Sequence, residues 1–436
     1  MALLVGVLAS SCANEEFIGG NQDGQTGQED GGSTYLDFGG VQRPVCPGRE
    51  STITGTVLAP NGKDPVPGAT VFVPSQVPEL FAPEVKCEAC GSLGTGYNFW
   101  TTTSKPNGTF VLSGVCPGPR SLVLQNGRFR RFIKVNVPEK GTLALTAEQS
   151  RLPVRTAEVQ PIDAIPRIAV VTGDYDKMEC VLHKMGVEQF DLFEGATTLV
   201  SPNPLPPFST LLADLSAMKR YNIIFINCTN NTFEDQLENK AVRDNIIAYV
   251  RAGGRLYVTD WSYDWIEQIE ELAKFIDFEP GASGDTPEGK NEGAIGEGGL
   301  KVDGLIKDTK LAEWLGNFPG VIQTTNGQPS AKIEHFLPQW VIMHQLGKDV
   351  KLWVEGKVSS GLGGTINNAI RPLTVTFNFK NCGKILFSSY HTEGRDDEST
   401  IFPKAFPTYC GSSTSPQDRI LEYLIFDIAS CIKPIE

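Results

Sequence analysis

The chain has 436 residues, 40% of them apolar and 20% charged, which excludes a wholly disordered polypeptide and leaves room for two or three hydrophobic cores. Its 38 basic side chains face 51 acidic ones, and a net charge of −13 repels phosphate backbones, so nucleic acid is not an expected partner. No run reaches the roughly 20 apolar residues of a membrane span.

The chain begins with an apolar run, Ala2-Leu3-Leu4-Val5-Gly6-Val7-Leu8, followed by Ala9-Ser10-Ser11-Cys12. Small residues before a cysteine resemble the lipobox of bacterial lipoproteins. The resemblance implies a signal peptide over residues 1–12 and an acylated Cys12 as mature N-terminus. Ala13, where an inner-membrane protein of that kind carries Asp, implies the outer membrane or cell surface. A signal peptide cleaved nearby without lipid is the alternative. Residues 13–45 are rich in Gly, Gln, Asn, Asp and Ser; with few apolar groups to offset ordering entropy, they read as a flexible tether.

Ten cysteines agree with export, since so many thiols suit an oxidising compartment. Setting Cys12 aside leaves Cys46, Cys87, Cys90, Cys116, Cys180, Cys228, Cys382, Cys410 and Cys431, an odd set in which at least one stays free or pairs between molecules. Cys46, Cys87, Cys90 and Cys116 are expected to form one or two bridges within one small domain. Cys228 is expected in a disulfide, with Cys180 as its candidate partner. Cys87-Glu88-Ala89-Cys90 has the spacing of half a zinc site, but no second such pair completes it, so neither metal nor cofactor is expected.

From residue 46 to 147 the signals are β. Strand-like runs at 52–58, 69–73, 99–103, 109–112, 121–125 and 129–137 alternate with turn formers such as Pro60-Asn61-Gly62, Pro106-Asn107-Gly108 and Asn126-Gly127. A β-sandwich is expected. Gly55-Thr56-Val57, Asn61-Gly62 and Val66-Pro67-Gly68-Ala69-Thr70-Val71 resemble the opening of a carboxypeptidase regulatory-like domain. Asn107-Gly108-Thr109-Phe110-Val111-Leu112, Pro117-Gly118 and Leu122-Val123-Leu124 resemble its second half. The resemblance implies a transthyretin-like or carbohydrate-binding-like sandwich used as a stalk or adaptor. None of the four histidines opens an HxxE or HExxH pair, so zinc peptidase chemistry lacks its ligands. Arg128, Arg130 and Arg131, interleaved with Phe129 and Phe132, read as a solvated sheet edge or as a patch for a polyanion.

Residues 148–165 read as a linker, and from 166 to 436 strands and helices alternate. Ile168-Ala169-Val170-Val171 and Ile223-Ile224-Phe225-Ile226 are continuous apolar runs, as in strands buried on both faces. Helices are expected near 176–185 and 239–251, and Leu256-Tyr257-Val258 follows the second after Gly253-Gly254. Later strands are expected at 341–343, 352–355, 373–377 and 385–389, with an exposed, Gly-rich insertion over 279–299. Ser415-Pro416 opens a final helix with Ile420, Leu421, Leu424, Ile425 and Ile428 on one face. The expected architecture is multidomain: an N-terminal β-sandwich, then an α/β doubly wound (flavodoxin-like) domain with a parallel sheet.

Three segments of this second part resemble class I glutamine amidotransferase-like domains, including the trehalose-utilisation-like branch: Tyr221-Asn222-Ile223-Ile224-Phe225-Ile226, Tyr249-Val250-Arg251-Ala252-Gly253-Gly254-Arg255-Leu256-Tyr257-Val258 and Gly383-Lys384-Ile385-Leu386-Phe387-Ser388-Ser389-Tyr390-His391. The whole arrangement is also similar to uncharacterised myxobacterial-type surface lipoproteins. In active amidotransferases the strand matching 256–258 leads to a nucleophilic cysteine on a tight turn. Here the place reads Thr259-Asp260-Trp261-Ser262, with no flanking glycine for an elbow, and Asp260 cannot do a thiolate's work. The resemblance puts His391, two residues before Glu393, near the family's catalytic histidine.

No working catalytic residue is therefore expected. The candidates are His391, Asp260 and Cys228, with Ser262 as a substitute nucleophile lacking a GxSxG context. Asp174, Asp176, Asp260 and His391 could converge at one sheet edge to hold a cation or polar ligand, although their spacing is no metal motif. Trp261 and Trp265, at helical spacing, suit either a core or a sugar platform. The function expected is an exported, lipid-anchored, non-catalytic protein that binds or scaffolds an envelope protein or glycan at the cell surface. The alternatives are a hydrolase using Cys228 or Ser262 with His391, and a carbohydrate-binding protein acting through the sandwich.

Overall fold

The computed structural model describes residues 45–87, 100–195, 204–229, 234–281, 290–334, 336, 340–392 and 406–430. Cys12, the tether up to residue 44, Cys90, Glu393 and Cys431 lie outside the described residues.

Seven strands open the described chain: β1 (Ser51–Thr56), β2 (Thr70–Val73), β3 (Trp100–Thr103), β4 (Thr109–Val115), β5 (Gly118–Asn126), β6 (Phe129–Val137) and β7 (Gly141–Ala144). They form two small sheets, in the orders β4-β1-β7 and β3-β2-β5-β6. The expected turn at Asn126-Gly127 joins β5 to β6, where Asn126 faces Phe129 and Gly127 takes φ +55°. A Cβ on Gly127 would lie 1.8 Å from the Ala429 carbonyl oxygen, so glycine is also needed for the close approach of the C-terminal helix.

The three arginines of this region correct the sequence reading. Arg128, Arg130 and Arg131 are all buried, neither a solvated edge nor a polyanion patch. Arg128 Nη1 donates to the Ala82 carbonyl at 2.9 Å. Arg130 donates to the carbonyls of Ile162 and Glu79, and its guanidinium carbon sits 4.2 Å above the Phe81 ring. Arg131 pairs with the fully buried Asp163, whose carboxylate also accepts from the backbone of Phe132, Val159 and Gln160. Burial is tolerated because two neighbouring loops supply acceptors, and residues 148–165 are tied down by the same bonds.

Twelve strands follow: β8 (Ile168–Val171), β9 (Asp191–Phe193), β10 (Ile223–Ile226), β11 (Arg255–Thr259), β12 (Ile276–Phe278), β13 (Val302–Ile306), β14 (Ile322–Thr325), β15 (Gln328–Ile333), β16 (Met343–Leu346), β17 (Val350–Val358), β18 (Ala369–Phe379) and β19 (Gly383–Ser388). Ten of them build one sheet, β14-β15-β13-β17-β18-β19-β11-β10-β8-β9, while β12 and β16 pair separately. Only the half from β9 to β19 is parallel; β18 onward is antiparallel. The expected all-parallel sheet is thus corrected to a mixed one. Helices intervene between the early strands, whereas β14–β15 and β18–β19 are joined by short turns, which permit only antiparallel neighbours.

Both faces of the parallel half are covered. Ile168, Val170, Ile223 and Phe225 pack in a cluster with helices Met178–Lys184 and Pro416–Ala429 and with the small sheets. Their alternates Ala169, Val171, Ile224 and Ile226 pack against helix Lys240–Arg251. That helix is capped by Asn239, and Pro416–Ala429 by a Ser415–Asp418 capping box. The 279–299 insertion is anchored at its described flanks, through bridges from Pro280 to Gly293, Ile295 to Val341 and Gly296 to Ser360, rather than wholly exposed.

Candidate functional site

Because β8, β10, β11 and β19 are parallel, their carboxyl ends share one edge of the sheet, the usual place for a site in an α/β fold. Each strand delivers a buried polar residue there: Asp174 and Asp176 after β8, Cys228 after β10, Asp260 after β11 and His391 after β19. Ligand-type atoms of Cys228, Asp260 and His391 all lie within 4.8 Å of one another. His391 Nε2 is 2.9 Å from Asp260 Oδ2, an ion-pair distance without an aligned hydrogen bond. The Cys228 thiol reaches the same oxygen at 3.9 Å.

The backbone sets this geometry. Asp260 has φ +42°, a left-handed conformation that costs a residue with a Cβ about 1–2 kcal/mol. The sharp turn therefore forms at the end of β11 without a flanking glycine, contrary to the sequence reading. Val341 N–H donates to Asp260 Oδ1 at 2.9 Å and fixes the carboxylate. The Cys228 N–H donates to Thr259 Oγ1 at 2.8 Å, and Tyr175 N–H to the Cys228 carbonyl at 3.2 Å.

Burial decides the protonation states. Loss of water, reinforced by the charge of Asp260, pushes the Cys228 thiol up to about 11. Burial also raises Asp260, with His391 opposing the shift. Burial works against a charged His391, but its interactions with Cys228 and Asp260 outweigh it and hold the imidazole well above its ordinary value. At neutral pH the cysteine is thus a thiol, and the Asp260–His391 pair carries a proton. Next to them Glu179 is raised to about 7 by burial; it accepts from Asn227 Nδ2 at 2.9 Å and from the Tyr409 hydroxyl at 2.8 Å.

The structure sorts the candidates of the sequence reading. Cys228 is free, so its expected disulfide is corrected: Cys180 pairs instead with Cys410. The β10–β11 register puts Cys228 beside Asp260, whereas Cys180 lies on the helix after β8. Cys46 pairs with Cys116 as expected within the small sheets, but Cys87 pairs with Cys382 on the turn between β18 and β19. Ser262 is not beside His391; its hydroxyl donates to the Asn227 carbonyl at 2.9 Å.

Asp174 and Asp176 do reach the same edge, but hydrogen bonds separate them from the trio. Asp174 accepts from Thr229 Oγ1 at 2.7 Å, and Asp176 Oδ1 from Thr392 Oγ1 at 2.6 Å. Trp265 is core, packed on Phe208, and Trp261 stacks edge-on to Tyr263. Sequence reasoning missed Thr392, Glu179 and Gln417, which donates to the His391 carbonyl at 3.1 Å. Glu179 and Gln417 reach the site from helices Met178–Lys184 and Pro416–Ala429, a packing that sequence spacing does not reveal.

Several solved structures are similar at low identity. A ThuA-like protein from Bacteroides uniformis is 13% identical over 60% of this chain and 90% of its own, with a TM-score of 0.34. A ThuA-like protein from Parabacteroides merdae is 11% identical over 62% and 92%, with a TM-score of 0.35. A cytoplasmic protein of Salmonella typhimurium is 14% identical over 62% and 100%, with a TM-score of 0.31. No family profile and no curated protein sequence matches the chain.

Proposed function

We propose that this is an exported cell-envelope lipoprotein, anchored through Cys12, that binds or scaffolds a partner at the cell surface and performs no amide hydrolysis. The observation that carries the reading is the state of Cys228. A nucleophilic cysteine needs a lowered pKa and access to substrate. Cys228 has neither: it is 2% exposed, its pKa is raised, and the nearest charged oxygen is that of Asp260. By resemblance, the turn that would keep an amidotransferase's thiolate carries the carboxylate of Asp260 instead.

Three disulfides support an oxidising destination. The two small sheets, read as a carboxypeptidase regulatory-like sandwich, supply the binding or adaptor part, with an envelope protein or a glycan as partner. Cys12→Ser is expected to move the chain from the membrane fraction to the soluble one. An unmodified N-terminus elsewhere, found by mass spectrometry, overturns the anchor.

The second reading, a hydrolase using Cys228 with His391, is favoured by one observation: the thiol is reduced and beside the imidazole. Glutaminase assay and iodoacetamide labelling of the folded protein separate the two. Absence of turnover with slow labelling fits the scaffold. Rapid labelling of Cys228 that His391→Ala abolishes, together with amide hydrolysis, replaces the scaffold with the enzyme.

A further inference from the structure

The trio at the sheet edge combines a thiol, an imidazole and a carboxylate, each delivered by a different strand end. All three residues are nearly inaccessible: Cys228 is 2% exposed, Asp260 1% and His391 1%. His391 Nε2 faces the Asp260 carboxylate at 2.9 Å, and a ligand-type atom of each of the three residues lies within 4.8 Å of the others. We propose that Cys228, Asp260 and His391 bind one divalent ion of the zinc class, with a water molecule as fourth ligand.

The dimensions fit. Zinc bonds sulfur at about 2.3 Å and nitrogen or oxygen at about 2.0–2.2 Å, so tetrahedral donors stand roughly 3.3–3.8 Å apart. Here the carboxylate oxygen is 2.9 Å from Nε2 and 3.9 Å from Sγ, and the set closes within 4.8 Å. An ion between them needs the carboxylate and imidazole to part by roughly 0.5 Å, while the thiol is already near its distance from the carboxylate. The mixed sulfur, nitrogen and oxygen donors favour zinc or a neighbouring late transition ion over magnesium or calcium, which require oxygen. The fixed second oxygen of Asp260, held by the Val341 N–H, orients the carboxylate as outer-shell bonds do in metal sites.

Binding balances simply: the ion displaces the thiol proton of Cys228 and the proton shared by His391 and Asp260. Two protons leave, and the thiolate, neutral imidazole and carboxylate become ligands. The expectation of no metal rested on linear spacing, which cannot reveal donors that adjacent strands align. The site also accounts for a free cysteine in an exported chain whose other described cysteines are paired.

The test uses the full-length chain produced in medium supplemented with Zn²⁺ or Co²⁺, because a buried site fills most readily during folding. One metal per chain by mass spectrometry, and a thiolate-to-cobalt absorption in the near ultraviolet, are expected. Cys228→Ser is expected to abolish that absorption. Asp260→Asn is expected to keep it while weakening metal affinity at least tenfold, with circular dichroism confirming that each variant is folded. Folded wild-type protein that carries no metal and shows no cobalt–thiolate band overturns the proposal, whether or not the variants fold. A band that survives Cys228→Ser also overturns it. Cys12→Ser leaves metal content unchanged, so a failed anchor and a failed metal site remain distinguishable.

Discussion

The bridge from Cys180 to Cys410 secures the floor of the site, and its removal has a calculable cost. It links positions 230 apart, joining helix Met178–Lys184 to the segment before the last helix. With Cys180 and Cys410 both replaced by alanine, neither partner is left as a new free thiol and the denatured chain regains the freedom of an open loop. The loop-entropy relation gives about 5 kcal/mol at 25 °C for that length. The intact Cys87–Cys382 bridge shortens the effective loop to roughly 120 positions, yet the dependence is logarithmic and the figure stays at about 5 kcal/mol.

A native-state cost adds to this. Tyr409, next to Cys410, donates to the buried Glu179, and Glu179 in turn holds Asn227 beside Cys228. Loosening Tyr409 leaves a buried carboxyl oxygen unsatisfied, worth about 1–3 kcal/mol. Measured disulfide removals usually fall at about 2–5 kcal/mol, short of the full entropic figure, so about 5 kcal/mol is the loss expected here with the Glu179 contribution included. Equilibrium urea unfolding of Cys180→Ala/Cys410→Ala, with the other bridges oxidised, reads it as a lower midpoint. The labelling rate of Cys228 should rise in parallel. The Cys46–Cys116 bridge, with a separation of 70, serves as control: its removal should cost nearly as much without unmasking Cys228. A loss of unfolding free energy under about 0.5 kcal/mol in the Cys180–Cys410 variant refutes the reasoning.

Two further predictions concern neighbouring contacts. A Cβ on Gly173 would lie 2.2 Å from the Cys228 carbonyl oxygen and 2.7 Å from Asn227 Cβ, so Gly173→Ala must part the ends of β8 and β10. About 1–3 kcal/mol of stability should be lost, with a lower melting temperature and faster labelling of Cys228; a wild-type melt contradicts this. Glu422 is raised by burial, and by Asp64 across the shared Arg419, to about 8, so the folded state keeps a proton that the unfolded chain releases near its ordinary value of 4.5. The contribution of Glu422 to stability should therefore be fully present below about pH 4.5 and be lost by up to about 1.4 kcal/mol per pH unit until about 8, and Glu422→Gln should remove that component of the slope. Identical pH profiles of urea midpoint for variant and wild type would count against the assignment.

The parallel half of the sheet was legible because its strands are short, wholly apolar runs flanked by capped helices. Ile168–Val171 and Ile223–Ile226 are buried at every position, and such runs hardly occur elsewhere than in a doubly covered sheet. The antiparallel half was hidden by its composition. Strands β14 and β15 read Ile-Gln-Thr-Thr and Gln-Pro-Ser-Ala-Lys-Ile, with few apolar residues to mark them. Yet Asn326-Gly327 stands between them, with both residues at positive φ and Thr325 facing Gln328, the two-residue turn that hairpins favour. The turn chemistry was the stronger signal there, and a reading guided by apolar runs passed over it. The buried arginines failed for a different reason: charge in a sequence says nothing of the carbonyls that a distant loop will bring.

At the site itself, His391 and Asp260 are expected as neighbours, whereas Cys228 is placed with His391 only in the hydrolase alternative; the structure brings all three within 4.8 Å. The difference is one of strand order. Positions after β11 and β19 are linked by the family resemblance, whereas Cys228 enters only once β10 is known to lie beside β11. The strained Asp260 turn is the residue that makes sense of the arrangement. A left-handed aspartate persists only where surrounding contacts outweigh its cost. Here the Val341 N–H and the His391 ring are those contacts. Both act on the side chain rather than on the backbone, so the strain is held by what the carboxylate binds. A chain that needed only a tight turn at this point would be served better by glycine, which adopts the same φ without penalty. A carboxylate on this strained turn, held by the Val341 N–H and facing an imidazole and a free thiol, is therefore the arrangement on which the proposed metal site rests, while the thiol beside it is not an activated nucleophile.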